Sequence, residues 1–345
     1  MPYQNFLERH TGILRSLRYE SGIFSASAKD APTGYEKAWL RDNVYVSFAL
    51  EALGDNAGLS ELCEAMFDIF LKHEWKLDYA ILVKPMFAYQ YIHPRYNPET
   101  FDEYWEAWGN KQNDAIGAFL FALGSFEQRG LGVIDTDDKR RIAQKLVHYL
   151  ATIEYWHDVD SGIWEEDEEI HASSLGACVA GLKKIQEIGF DVSSELIERG
   201  EDMLRHEILP RESHRKFCDL ALLTLIYPYN VATEEERKTI LQNVEYHLVK
   251  ERGVVRYKGD RYYNRNWDGM SEEAEWTFGF SFLSLLYAQS GDRDKAEHYL
   301  RRAIETIDER GNIPELYYSH TSESNENSPL AWSEAMFLVA LKQFV

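Results

Sequence analysis

The sequence predicts an all-α protein, a closed (α/α)6 barrel of six helical hairpins with its active site at the N-terminal ends of the inner helices. Three observations carry this. Apolar residues recur at helical spacing in about a dozen segments, almost no stretch alternates with the period of two that marks a half-buried strand, and the helical segments are of two kinds that alternate along the chain.

The N-terminal segment, with Tyr3, Phe6, Leu7, Leu14 and Leu17, is the first outer helix. The segment near 42–53 is apolar nearly all round, as a helix covered on both sides is, and makes the first inner helix. An amphipathic partner follows near 58–73, then a second inner segment near 114–128. The next outer segment, near 137–154, sets Lys139, Arg140, Arg141 and Lys145 beside Ile142, Leu146 and Tyr149, and the inner one after it lies near 172–187. Outer segments near 193–208, 233–248 and 293–308 then alternate with inner ones near 218–226, 275–288 and 329–343. Boundaries are signalled too: Thr233 with Glu236 has the spacing of a capping box, and Asp292 opens a helix after Gly291. Short connections make neighbours antiparallel, so the two kinds form concentric rings, with the N-terminal helix opposite the last inner one. An open solenoid is the rival arrangement; it ranks lower because no regular period recurs and its last inner helix would lack a partner.

No Pro-, Gly- or Ser-rich linker divides the 345 residues, so 1–345 is read as one domain with a substantial core. The 17 Phe, 21 Tyr and 9 Trp supply rings for the core and for stacking on sugars, and for any single ring the core is the default. A formal charge of -21 repels nucleic acid and anionic membrane, while it tolerates a neutral sugar without selecting for one. Met1 to Arg18 mixes charged with apolar residues, unlike a signal peptide, and no later run is long enough to span a bilayer. Cys63, Cys178 and Cys218 sit in apolar helical patterns and are read as reduced core thiols, which points to the cytoplasm.

In the antiparallel pattern every inner helix starts at the same end of the barrel. Tyr35 and Trp39-Leu40-Arg41-Asp42-Asn43 stand at the first start, and Trp105 through Trp108 to Asp114 at the second. Trp164-Glu165-Glu166-Asp167-Glu168-Glu169 precedes the third, Glu272, Glu273, Glu275 and Trp276 the fifth, and Pro314-Glu315-Leu316-Tyr317-Tyr318 the sixth. Trp and carboxylate together suit a carbohydrate cleft, because apolar sugar faces stack on indole while hydroxyls need fixed ionic or amide partners. A plainer reading stands beside each. Asp42 and Asp114 read equally as helix caps or dipole partners, Arg41 as an ion-pair partner, Trp39 and Trp108 as core, and 165–169 as a solvated acidic loop.

No metal and no cofactor are expected. The histidines lack metal-ligand spacing, no phosphate-binding glycine loop or Gly-x-Ser-x-Gly occurs, and Asp158-Val159-Asp160-Ser161-Gly162 lacks the remaining ligand positions of a calcium loop. Paired carboxylates are left. Acetal hydrolysis requires one acid to protonate the departing oxygen and one carboxylate to activate water or attack the anomeric carbon.

The motifs Trp39-Leu40-Arg41-Asp42-Asn43-Val44-Tyr45, Trp108 through Gln112-Asn113-Asp114, Trp164-Glu165-Glu166, Ala172-Ser173-Ser174-Leu175-Gly176, Pro314-Glu315-Leu316-Tyr317-Tyr318 and Asn327-Ser328-Pro329-Leu330-Ala331-Trp332-Ser333 occur in this order. In order and spacing they resemble glycoside hydrolase family 15, the glucoamylases, and the glucoamylase-like domain of phosphorylase kinase α and β subunits. The resemblance implies an inverting, exo-acting hydrolase of α-linked glucosides that releases β-glucose, with Glu165 as general acid and Glu315 as general base. It implies that Glu166 binds sugar, that Arg41 and Asp42 bond the terminal glucose hydroxyls, and that Tyr35 and Trp108 line their pocket. Trp39, Asp114, Trp164 and Trp332, from the same motifs, complete the expected substrate-binding set.

Inversion implies that the two carboxyl groups stand roughly 6.5 to 9.5 Å apart, with room for a water. Glu166 is expected to raise the acid's pKa through like-charge repulsion. Leu316 departs from the Gln common in the family, and residues 41–45, 172–176 and 315–318 lean towards the kinase-subunit branch, which includes regulatory modules. Two alternatives therefore stand: a non-catalytic glucan-sensing or protein-binding module, and another (α/α)6 hydrolase such as a trehalase. The segment from Tyr262 to Asp268 either edges the cleft or forms a surface loop.

Overall fold

The computed structural model describes residues 3–106, 108–264 and 272–345. Among these, the predicted hairpins appear in order. Outer α1 (Gln4–Ser16) leads to inner α2 (Leu40–Leu53), then outer α3 (Asn56–Lys72), a short additional helix α4 (Glu74–Leu82), and inner α5 (Asn113–Gln128). Outer α6 (Asp137–Ile153), inner α7 (Ala172–Glu187), outer α8 (Ser194–Asp202) and outer α9 (Glu234–His247) follow. Inner α10 (Phe278–Ser290), outer α11 (Arg293–Glu305) and inner α12 (Ala331–Leu341) end the chain.

Inner helices pack side by side, α2 on α5, α5 on α7 and α10 on α12, and the ring closes where α12 meets α2 while α1 covers α12. The inner segments are rich in small residues because their backbones touch. A Cβ added to Gly117 would collide with the backbone of Ala177 and Cys178, and one added to Gly181 with the carbonyl of Gly117. A buried polar contact locks the closure: His10 Nδ1 lies 2.6 Å from Glu334 Oε2, and neither side chain has exposed surface. Glu334 Oε1 also accepts from the Ile313 backbone N–H at 2.8 Å, which ties the start of the last loop to α12.

The signalled caps form as expected. Thr233 and Glu236 make a reciprocal capping box on α9, and Asp292 accepts from the Lys295 N–H at the start of α11. Asp42 and Asp114 are not caps: those positions fall to Trp39 and Gln112, and both aspartates lie within the first turn.

The fourth inner element is not an α-helix but a single tight 3₁₀ stretch, Leu220–Leu225, started by Asp219, which accepts from the Ala221 N–H. Pro228 forbids its extension, since a proline cannot continue the hydrogen-bond ladder and constrains the residue before it. The α8 segment runs on as a π-helical turn, Met203–Ile208, and stops ahead of Pro210. The fifth inner helix starts at Phe278 rather than 275, because Glu275 and Trp276 are drawn into a small sheet. Two such sheets of two-residue strands lie at the barrel mouth. Ala38–Trp39 (β1) pairs with Arg95–Tyr96 (β2), and Val254–Val255 (β3), Glu275–Trp276 (β4) and Leu316–Tyr317 (β5) make a three-stranded antiparallel one. Strands this short have no periodicity to detect. Among the described residues no helix is long and apolar enough to cross a membrane, and the three cysteines are free and buried.

Candidate active site

The N-terminal ends of the inner helices surround a cavity of about 400 Å³. Its wall takes Tyr35, Trp39, Arg41 and Asp42 from the α2 start, Trp108 from ahead of α5, Trp164, Glu165 and Glu166 from ahead of α7, and Glu315 and Trp332 from either side of the last loop. Of the residues expected to bind substrate, Asp114 alone does not line it. Its Oδ2 instead holds Arg41 Nη1 at 3.0 Å from behind, both side chains being buried. Asp114 is thus the residue that aims the guanidinium.

The aromatic floor is continuous. Trp332 stacks on Phe278 at 4.6 Å and on Tyr45 at 4.8 Å between ring centroids, and Trp164 lies beside Phe278 and Trp276 at 6.2 and 5.3 Å. Trp164 is fixed edge-on as well, because its indole N–H donates to Asp219 Oδ1 at 2.8 Å. An indole anchored at both face and edge holds the residue after it in place.

That residue, Glu165, has φ of 60°, in the left-handed region that a side chain with a Cβ rarely adopts. Backbone strain of this kind persists only where surrounding contacts impose it, and it clusters at functional sites. Here turns fold the segment back, with Glu165 N bonding Gly162 O at 3.2 Å and Glu166 N bonding Ser161 O at 2.9 Å. The Glu165 carboxylate accepts from Arg41 Nη2 at 3.0 Å on one oxygen and from the Trp108 indole at 2.5 Å on the other. Trp108 is itself backed by the Arg95 guanidinium, 3.9 Å from its ring centroid.

Glu166 does not act on its neighbour as an uncompensated charge, contrary to the sequence expectation. Burial alone would raise its pKa, but Arg256 and Lys216 outweigh that and lower it. Arg256 Nη2 and Lys216 Nζ donate to it at 2.7 and 2.8 Å, and the Tyr257 hydroxyl adds a third bond at 2.6 Å. The acidic run divides: Asp167 and Glu168 face water, while Glu165 and Glu166 turn in to the cavity.

Across the cavity Glu315 is buried, and burial raises its pKa against the opposing pull of its donors. Oε2 accepts from Asn325 and Asn327 at 2.5 and 2.8 Å, and Oε1 from the Tyr35 hydroxyl at 3.1 Å. Tyr35 OH also stands 2.8 Å from Tyr262 OH. A phenol has one proton, so when Tyr35 donates to Glu315 it is Tyr262 that donates to Tyr35. Asp42 lies within the field of both glutamates; burial is the main cause that pushes its carboxyl up to about 7, with Glu165 and Glu315 adding to it and Arg41 opposing.

The expected substrate-binding set left out four lining residues, Arg256, Tyr262, Tyr263 and Trp276, although Trp276 had been placed at this end and the Tyr262 segment left open. Arg256 is clamped by Asp260 at 2.6 and 2.7 Å and surrounded by the rings of Trp164, Tyr262 and Trp276. Tyr262 settles one open question, since it edges the cleft; residues 265–268 of that segment lie outside the described residues. The four-residue spacing of Arg256 and Asp260 was visible in the sequence, but nothing marked that loop as facing the cavity. The Asp158 oxygens accept from Tyr91 and Asn113, Asp160 Oδ2 accepts from Asn113 and Ser174, and no group of potential metal ligands occurs among the described residues.

Comparison with known proteins agrees with this fold. A probable phosphorylase b kinase regulatory subunit alpha from Caenorhabditis elegans is 28% identical over 91% of this chain, and the chain spans only 31% of that relative's length. A glycosidase variant solved in complex with glucose superimposes with a TM-score of 0.82 at 17% identity, covering 98% of this chain and 96% of that one. A glucoamylase from Saccharomycopsis fibuligera gives 0.71 at 16% identity, covering 99% and 95%. The fold is therefore the glucoamylase-like (α/α)6 barrel. The family model for glycosyl hydrolases family 15 matches residues 2–263, which takes in Arg41, Trp108 and Glu165 and stops short of Glu315. On that match, the chain belongs to glycosyl hydrolases family 15.

Proposed function

We propose that this chain is an inverting exo-hydrolase of α-linked glucosides, with Glu165 as general acid and Glu315 as general base. One observation carries the reading: two carboxylates from distant loops open onto a single aromatic-floored cavity of about 400 Å³, the size of a small-molecule site. In the step we propose, Glu165 gives its proton to the glycosidic oxygen as the bond from that oxygen to C1 breaks. Water adds to C1 from the opposite face and Glu315 takes its proton, so one water is consumed and β-glucose leaves. This requires the carboxyl groups to stand roughly 6.5 to 9.5 Å apart. Arg41, Asp42 and Glu166 hold sugar hydroxyls, while Tyr35, Trp39, Trp108, Trp164 and Trp332 meet the apolar faces. Asp114 positions Arg41. Membership of the family supports a carbohydrate ligand, and the glucose complex of a similar glycosidase supports a single-residue pocket. The free buried thiols support a reducing compartment, the cytoplasm.

A second reading, a glucan-binding module without turnover, is favoured by two observations. The matched relative is a regulatory subunit. Both Glu165 oxygens already accept hydrogen bonds from protein donors, Arg41 and Trp108, an arrangement that also suits a carboxyl held for binding alone. Incubation with maltose, isomaltose, maltotriose, soluble starch and trehalose, followed by anomeric proton signals, separates the readings. The hydrolase releases β-glucose first, and Glu165→Gln or Glu315→Gln abolishes release while leaving thermal unfolding intact. Maltose binding without turnover by the parent protein overturns hydrolysis in favour of the second reading.

A further inference from the structure

Beside the cavity the surface holds a larger concave feature, a groove of about 810 Å³ framed by α4 and the loops on either side of β2. Trp75, Phe87, Tyr89 and Trp105 stand in it with 67, 57, 67 and 100% of their surface exposed. Rings of this size are ordinarily buried, and a cluster left in water marks a binding surface. The Phe87 and Tyr89 rings lie parallel within 3°, with centroids 5.7 Å apart.

The groove adjoins the cavity at Trp108, which lines both. Its charges are cancelled internally. Lys72 pairs with Asp102 at 2.6 Å, Lys76 with Glu103 at 2.8 Å, and Glu106 with Lys37 and Arg95 at 2.7 and 2.8 Å. Burial, with Lys76 and Arg95 nearby, pushes His93 down to about 3, so this lining residue is neutral as well. Exposed aromatic faces without free charge fit a neutral polyhydroxylated chain; an acidic or basic protein surface would need uncancelled charge to complement it.

We infer that this groove is a stacking ledge for the reducing-side portion of an α-glucan chain whose non-reducing end occupies the cavity. The inference rests on the carbohydrate reading given above. Direction follows from Glu165. A general acid must touch the oxygen that departs with the shortened chain, so the chain emerges on Glu165's side, and there the Trp108 indole, bonded to Glu165, leads from cavity to groove. A disaccharide ends near Trp108, whereas a longer chain reaches Trp105, Tyr89 and Trp75.

Trp75→Ala, Tyr89→Ala and Trp105→Ala, made singly in the full chain and checked by thermal melting, test this in two ways. Retardation in native gels containing glycogen reads chain binding without turnover. The ratio of kcat/KM for maltoheptaose to that for maltose reads chain-length preference. Each substitution is expected to weaken retardation and to lower the ratio by roughly three- to tenfold. Retardation and ratio equal to the parent's in all three variants overturn the ledge. A parent protein that turns over neither sugar yet is retarded, with the variants losing retardation, upholds the ledge and defeats hydrolysis alone. A parent protein that hydrolyses maltose without retardation or preference for maltoheptaose defeats the ledge alone.

Discussion

Replacing Asn327 with Ala tests the assignment of the base without touching it. The substitution removes the 2.8 Å bond from Asn327 Nδ2 to Glu315 Oε2. It leaves the loop in register, because the Asn327 carbonyl still accepts from the Glu315 N–H at 2.9 Å. Glu315 is 1% exposed, and burial already holds its carboxyl above the usual range while Asn327, Asn325 and Tyr35 pull the other way. A hydrogen bond to a charged group contributes about 1.5 to 3 kcal/mol, so losing this donor raises the Glu315 carboxyl further. A general base must be ionised, so the acid limb of kcat/KM for maltose shifts to higher pH, and at a fixed pH on that limb the rate falls roughly ten- to hundredfold. The measurement is initial β-glucose release across the acid and neutral range, for parent and variant. Stability must follow the same sign. A carboxyl whose folded pKa lies above its unfolded one costs stability as pH rises between the two, so melting curves of variant and parent converge at acid pH and separate towards neutrality. A limb that stays where it was in a folded variant refutes Glu315 as the titrating base. Asp42, which Asn327 does not touch and which burial pushes up to about 7, then sets the limb.

Arg41→Met strips the guanidinium from Asp114 and leaves a buried carboxylate unpaired, at a cost of about 3 to 5 kcal/mol in urea unfolding; adding Asp114→Asn recovers most of it, and further loss in the double variant would contradict the pairing. Asp42→Asn removes a carboxyl whose folded pKa of about 7 lies above its unfolded value, so the variant gains stability over the parent from about pH 4 upward and fully above pH 7. Calorimetry at both ends checks this, and an equal gain at acid pH would count against the raised pKa. His10→Leu deprives the fully buried Glu334 of one donor and lowers stability by about 3 kcal/mol or more, and hydrogen exchange should quicken first in α1 and α12, where the ring closes.

Much of this molecule was legible before any coordinates. Helical periodicity separated inner from outer helices because burial on two faces and burial on one leave different patterns, and antiparallel hairpins then forced Trp39, Trp108, Trp164 and Glu315 to one end. Local chemistry marked boundaries as far as side chains act locally, as at Thr233 and Asp292. The fourth inner element was misjudged because Leu220–Leu225 is apolar enough for a helix while Pro228 leaves no room for one. The roles of single charges were undecidable at that level. Asp114 reads as a cap until Arg41 is seen against it, and Glu166 reads as a repelling neighbour until Arg256 and Lys216 are found on its oxygens. Burial, charge pairing and the side on which an aromatic ring emerges depend on which distant loops meet. Sequence spacing therefore determined the ring and where its chemistry collects, and only the closure of that ring decided which carboxylates are compensated, which lie bare to a substrate, and which rings remain in water.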